Sequence, residues 1–562
     1  MLGPFFTVLE VYVAARIPLV MSDIIDQGIY GLNGDMDYIW NKGLQMVELA
    51  LLGVVFGASS GLFSSIASTR FIRNIRYAMF SKIQEYSFEN IEKYPVPTVV
   101  MRLTTDMRML RMAYVSIVRM LIRAPFNLVL SAYFVFTLNP RLAMIFALAI
   151  PILLIGLVVI HQKAHPRFRQ MMYKFDALDA NLEENIDGIR VVKTFVREDY
   201  ENGKFIDSSD GVMKAQRHAE NIVILNRPFF ELVMYACMIA IAWFGGRDVI
   251  AGEMTTGNFM AYLSYIRAIL FSLLMISNVY LQIVMAQTSV DRANEILDEE
   301  PKVRDNDADE DLQVEEGSIE FRNVSFKYSD DAQNNVLSDI DLKIEAGEVI
   351  GILGPTGSSK TTLVQLIPRL YDVSQGEVLV SGHNVKEYKL HNLREAVAMV
   401  LQKNTLFSGT IEENMKWGNP DASHEEVVEA CKYAQADDFI EAMPKKYETE
   451  LGQGGVNVSG GQKQRLCIAR ALMKHPKIII LDDSTSAVDT DTDHRIQLAL
   501  KEKLGGMTTI IIAQRVASVK EANRIIIMND GRIEDIGNHD ELMKRNEVYR
   551  DLYNTQMEGA LE

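Results

Sequence analysis

The sequence predicts a helical membrane domain of six spans followed by a soluble α/β domain. Three observations carry this reading. Apolar runs long enough to cross a bilayer are confined to the first half of the 562 residues. The second half has the composition and the short apolar strands of a soluble α/β protein. Near the middle, Val349-Ile350-Gly351-Ile352-Leu353, then Gly354 to Thr362, then Leu363-Val364-Gln365-Leu366-Ile367 reads as strand, glycine-bearing loop and helix.

The spans are expected near 5–25, 44–68, 113–137, 141–161, 228–250 and 258–286, on a criterion of about 20 mainly apolar residues each. Leu142–Ile160 has no polar face, which a long core helix of a soluble protein usually keeps. Orientation follows from Lys and Arg. The connection after the second span holds Arg70, Arg73, Arg76, Lys82, Lys93, Arg102, Arg108 and Arg111, and the one after the fourth holds Lys163, Arg167, Arg169, Lys174, Arg190, Lys193 and Arg197. The connections near 27–43, 138–141 and 248–257 are poor in both. The two long connections and both chain ends are therefore expected in the cytoplasm, with the spanning helices continuing into them. The first span starts almost at residue 1, so a short N-terminus is expected. No signal peptide is expected either, because the first cation is Arg16.

Glu10, Arg16, Glu48, Arg119, Arg123, Glu231 and Arg267 fall within or near the spans. Isolated charges facing lipid are costly, so these face a cavity, a partner helix or an interface, or snorkel from the cytoplasmic ends as Arg119, Arg123 and Glu231 could. The cavity candidates are Arg123, Asn127, Glu231, Arg267, Asn278 and Gln282. The many methionines could form an adaptable wall or simply fill space. A net charge of −17 argues against nucleic acid as a partner. Cys237, Cys431 and Cys467 lack metal-ligand spacing and suggest reduced, structural thiols.

Residues 298–317 are acidic, polar and without apolar periodicity, which places the boundary between a membrane domain (1–297) and a second domain (318–562) in this linker. The stretch Ser318 to Tyr328 alternates as a strand should, and an aromatic ring at its end, Tyr328, can stack on adenine. The loop Gly354-Pro355-Thr356-Gly357-Ser358-Ser359-Lys360-Thr361-Thr362 turns backbone N–H groups toward phosphate oxygens at a helix start. Lys360 adds a charge for the β- and γ-phosphates and Thr361 a hydroxyl for Mg²⁺. Gln402, after an apolar strand, has a side-chain oxygen for Mg²⁺ or the attacking water. Ser459-Gly460-Gly461-Gln462 precedes an apolar helix and offers a second phosphate site. Ile478-Ile479-Ile480-Leu481 ends in Asp482, placed to hold Mg²⁺, and Asp483, placed to polarise water.

With these residues in order, the whole chain resembles a half-transporter of the ABC exporter superfamily: a six-span membrane domain of the exporter type fused to one P-loop ATP-binding domain. The signature Val458-Ser459-Gly460-Gly461-Gln462 and the two Walker stretches are highly specific. Met101–Asp106 and Glu184–Phe195 resemble the two cytoplasmic connections, which in the family carry short coupling helices. The resemblance implies ATP and Mg²⁺ as cofactors, a bacterial cell membrane, and two ATP-binding domains paired head to tail. Each nucleotide then lies between the Walker motifs of one domain and the signature of the other, with Asp489 in the loop that crosses between sites.

Four positions depart from the family pattern. Asp483 stands for a glutamate, Gln514 for the switch histidine, Ser359 for a loop glycine and Gln453 for a glutamate. Aspartate sets its carboxylate back by about 1 Å, and such a misplacement can cost on the order of a hundredfold in rate. Gln514 can hydrogen-bond a γ-phosphate but carries no charge. The chain's own Walker site is thus expected to bind ATP and hydrolyse it poorly, while its intact signature serves a second half-transporter chain. The expected function is one subunit of a heterodimeric exporter of small amphipathic substrates, whether drug-like, lipid or peptide. The alternatives are an ATP-binding regulatory or gating subunit and a homodimeric exporter. A soluble DNA-repair ATPase fails on the apolar spans, and an importer usually carries these parts on separate chains.

Overall fold

The structure is a computed structural model, and it describes residues 2–31, 35–305, 308–329, 332–483, 490–503 and 505–558. The chain separates into two compact units, Met1–Ile83 with Val96–Asp298, and Gln84–Pro95 with Glu299–Glu562.

Among its described residues the first unit has helices and no strand. Its opening helix, Leu2–Asp23, continues through a π-helical turn, Ile24–Ile29. Five further helices are long and apolar enough to cross a membrane: Met36–Gln84, Val96–Leu138, Pro140–Asp187, Glu198–Ile250 and Thr256–Asp298. Each expected span falls inside one of these six helices. The helix Met36–Gln84 has 49 residues, roughly 73 Å at 1.5 Å per residue. That is more than twice a hydrocarbon core of about 30 Å, so the spans do continue as helices through the long connections.

The packing seams of this unit have helical period. Leu142, Phe146, Ala149 and Leu153 face Phe230, Val233, Cys237 and Ile241, and both rows meet Tyr262, Tyr265, Ile266, Ile269 and Leu270. Spacings of three and four residues put each row on one helix face. Between helices in lipid the hydrophobic effect gives little, so close packing and hydrogen bonds hold such seams. Tyr265 donates to the Ala15 carbonyl at 2.6 Å, and Asn127 donates to Ser272 Oγ at 3.0 Å. The outer faces are apolar, with Ile239, Trp243 and Ile250 exposed.

The second unit holds two main sheets and a short antiparallel pair, β7 (Gly409–Thr410) with β8 (Glu450–Leu451). β2 (Leu337–Ile344), β1 (Ile319–Phe326), β4 (Gln375–Val380) and β5 (His383–Asn384) form an antiparallel sheet in that order. The strand expected over 318–328 is shorter and bulged. Asn323 has φ of +47° and the pairing shifts register there, so Val324, Ser325 and Phe326 are buried in succession. Tyr328 lies beyond the strand.

The other sheet runs β12 (Arg532–Gly537), β11 (Arg524–Asn529), β3 (Val349–Leu353), β10 (Thr508–Ile512), β9 (Ile478–Asp482) and β6 (Val397–Val400). Five of its strands are parallel to their neighbours, with only β12 reversed. Parallel strands covered on both faces must be apolar throughout, and β9 and β10 are buried along their whole lengths.

A short helix, Phe88–Lys93, belongs to this unit although the sequence places it among the membrane connections. Asn90 is buried and donates to Glu299 Oε1 at 2.9 Å and to the Glu300 carbonyl at 3.0 Å. Glu92 accepts from the Tyr371 hydroxyl at 2.9 Å, and Phe88 packs on the Tyr371 ring.

Candidate functional site

Four neighbouring parallel strands end on the same edge, and each delivers one part of the site. β3 leads into the loop at Gly354, β9 ends at Asp482, β10 is followed by Ala513 and Gln514, and β6 is followed by Leu401 and Gln402. Ligands of open α/β sheets bind at this carboxyl edge.

The loop is shaped by its backbone. Gly354 has φ of +156°, and a Cβ there would lie 2.1 Å from the Met528 carbonyl oxygen, so the position is closed to any side chain. Ser359 caps the following helix, Lys360–Gln365, in the left-handed region with φ of +70°. Ser359 is therefore strained in its backbone, since a left-handed conformation costs an L-residue roughly 1–2 kcal/mol. Lys360 Nζ folds across the loop onto the Gly354 and Pro355 carbonyls, both at 2.9 Å, and Ser358 Oγ at 3.3 Å. Burial pushes its pKa down, opposed by the carboxylates of Asp482 and Asp483. Pro355, Thr356 and Gly357 are exposed at the loop crest.

Thr361 Oγ1 donates to Asp482 Oδ1 at 3.0 Å. Asp482 is buried, and its second oxygen, Oδ2, has no hydrogen-bond partner among the described residues. Burial raises the Asp482 pKa, and Asp483 adds to the shift. A hydroxyl beside a buried carboxylate with a spare oxygen fits a hard divalent cation such as Mg²⁺.

Asp483 is itself strained, with φ of +48°. Gln514 Nε2 donates to its Oδ2 at 2.8 Å, and Gln402 Nε2 approaches the same oxygen at 3.4 Å. Burial is the main cause of its raised pKa; the two amides and Lys360 pull the other way. Sequence reasoning missed a third glutamine, Gln464, whose buried amide donates to the Asp483 backbone carbonyl at 3.3 Å.

Gln464 lies on the helix Gly460–Leu472, which the signature begins. Ser459 caps this helix. Its hydroxyl accepts from the Gln462 N–H at 3.3 Å, and Gln462 Oε1 accepts from the Ser459 N–H at 2.9 Å. This reciprocal box fixes the turn, while Ser459 and Gly460 stay exposed at the helix start.

Tyr328 is half-buried by packing edge-on to Phe326 and Tyr371, with centroids 5.0 and 5.2 Å away. Its hydroxyl pairs with Thr362 Oγ1 at 2.8 Å. The candidate adenine contact is thereby tied to the phosphate loop, and Tyr371, absent from the sequence reading, supports it. Asp489 lies outside the described residues.

In the membrane unit the cavity candidates divide. Arg123 pairs with Glu10 at 3.0 Å, Glu231 with Arg227 at 3.0 Å, and Asn127 is spent on Ser272. Arg267, Asn278 and Gln282 are exposed along one face of the helix Thr256–Asp298.

Two family models match the chain, the ABC transporter transmembrane region over residues 1–274 and the ABC transporter domain over 337–486. An ATP-dependent lipid A-core flippase of Desulfotalea psychrophila is 35% identical, over 96% of this chain and 93% of its own length. The ABC transporter ATP-binding protein YfiB of Bacillus subtilis is 32% identical, over 97% and 94%. YgaD of the same species, a putative multidrug export protein by its name, is 32% identical over 88% and 85%. The solved structure of a bacterial Atm1-family ABC exporter matches with a TM-score of 0.89 at 23% identity, over 99% of this chain and 98% of its own, a likeness of fold.

Proposed function

The chain belongs to the ABC transporter family as a fused membrane and ATP-binding half-transporter, and we propose that it is the weakly hydrolytic subunit of a heterodimeric exporter of amphipathic substrates. As a family member it is a multi-pass membrane protein whose soluble domain binds ATP and couples its hydrolysis to transport.

One observation carries the asymmetric reading. Asp483 directly follows β9 and is engaged by two neutral amides, Gln514 and Gln402. Nothing in that trio supplies a charged switch, and a general base gains efficiency from a tuned, well-placed proton acceptor. Lys360, Thr361 and Asp482 keep the means to bind nucleotide. Asp482 and Thr361 would hold Mg²⁺, which would supply positive charge to neutralise the phosphates. Tyr328 would stack on adenine, and the loop from Gly354 to Thr362 would cradle the phosphates.

Ser459, Gly460, Gly461 and Gln462 would complete a Walker site on the second chain, with Asp489 crossing between sites. Binding and hydrolysis there would shift the membrane helices between inward and outward states.

A homodimer is the alternative, favoured by the presence of both Walker residues and a capped signature on one chain. Steady-state ATPase of the chain purified alone in lipid nanodiscs decides between them. Little turnover, restored on adding the second chain, supports the heterodimer. Vigorous turnover alone assigns a homodimer.

A further inference from the structure

We propose that a cavity between the first, fifth and sixth spanning helices holds the anionic head of the transported amphiphile, with Arg267 as its counter-charge. The proposal rests on the exporter reading above and specifies its substrate class.

The cavity measures about 480 Å³, within the size range of small-molecule sites. Its wall includes Met21, Met238 and Met260 from three helices, beside Leu263 and Ser264. Unbranched thioethers make a wall that adapts to varied apolar tails. Arg267 is the one charged residue in the lining.

Arg267 stands on the helix that begins at Thr256, roughly 16 Å from that end at 1.5 Å per residue. That is near the middle of a hydrocarbon core about 30 Å thick. A cation at this depth needs an anion, a carbonyl or water. Among the described residues Arg267 has no hydrogen-bond or ion-pair partner, and its side chain is exposed.

The acids that could have served are taken. Asp23 pairs with Lys42 at 2.8 Å, and Asp26 accepts from the Gly257 N–H at 2.7 Å. Glu10 and Glu231 pair with other arginines. Glu48 lies on the helix Met36–Gln84, which lines no part of this cavity. Arg16, on the first helix, lies over the Tyr12 ring at 5.9 Å and has no ion-pair partner among the described residues, so the cation surplus extends beyond Arg267. An unbalanced guanidinium in an apolar, methionine-lined recess selects a ligand that brings its own negative charge on an apolar body.

The test uses the assembled transporter in proteoliposomes and three fluorescent probes with one acyl tail and different heads: phosphate, phosphocholine and trimethylammonium. ATP-dependent transfer should saturate at the lowest concentration with the phosphate head. Arg267→Gln should raise that half-saturating concentration on the order of tenfold and leave the phosphocholine value in place. Arg267→Lys should keep most of the preference. Equal or better transfer of the trimethylammonium probe, or a common shift of all three in Arg267→Gln, overturns the proposal and leaves the exporter reading standing. Competition by inorganic phosphate as effective as by the probe overturns the amphiphile as occupant. Failure to move any of the three overturns the amphipathic-substrate reading together with this one.

Discussion

Gln514 donates its side-chain amide to Asp483 Oδ2 at 2.8 Å, so the second residue after β10 and the first after β9 hold each other at the centre of the candidate ATP site. If the asymmetric reading holds, Asp483→Ala should leave much of the assembled complex's ATPase, because this carboxylate would add little as a base. Ser459→Ala with Gly460→Glu should nearly abolish it, by breaking the capping box and setting a negative charge toward a γ-phosphate on the second chain. Steady-state hydrolysis of the co-purified pair checks both. A silent Asp483→Ala complex beside an active signature variant reverses the assignment of sites.

Tyr328 and Tyr371 should separate by function. Tyr328→Ala should weaken ATP binding by roughly 1–3 kcal/mol, the scale of a lost base-stacking partner. Tyr371→Phe keeps the ring edges but removes the hydroxyl that donates to Glu92, a bond to a charged acceptor of about 1.5–3 kcal/mol. Nucleotide affinity should then be near wild type while transport per ATP falls. Nucleotide titration alongside a transport-to-hydrolysis ratio distinguishes the two variants.

Ser359 should be improvable. Its φ of +70° suits glycine, and Ser359→Gly should relieve about 1 kcal/mol of loop strain, less the greater freedom glycine has when unfolded. Ser359→Val, β-branched in a left-handed position, should cost more than serine does. ATP affinity measured by equilibrium titration should rank Gly at or above Ser, and Ser above Val. The reverse order would mean that the serine hydroxyl is used.

The orientation of the membrane unit is open to a labelling experiment. Single cysteines at Asp35 and Thr255 should react with an impermeant thiol reagent on intact cells, and one at Glu198 should not, following the Lys and Arg asymmetry of the connections. Labelling at Glu198 would invert the topology.

The candidate ATP site was largely legible because most of its parts sit at strand ends, where apolar runs stop and a glycine, a carboxylate or an amide follows. The phosphate loop, Asp482, Asp483 and Gln402 could be placed by that rule, while Gln514 was picked out only by the family resemblance. What stayed hidden depends on contacts far apart in sequence. Tyr371 meets Glu92 across 279 positions and Asn90 meets Glu299 across 209, so no local pattern announces that Phe88–Lys93 docks on the ATP-binding unit. The bulge at Asn323 escaped for another reason: three buried residues in succession interrupt the two-residue period on which strand reading relies. In the membrane unit, composition located the helices but could not tell Arg123, which has an acid beside it, from Arg267, which has none among the described residues.

The bond from Gln464 to the Asp483 carbonyl has a thermodynamic corollary. In the proposed assembly it would join the residue facing this chain's nucleotide to the helix whose tip faces the other one. Two binding events that strain the same hydrogen bond cannot be independent, and their interaction must be mutual: whatever factor the first nucleotide imposes on the second, the second returns to the first. A subunit that hydrolyses slowly would then still set the pace of its faster companion, acting as a ballast on the shared cycle.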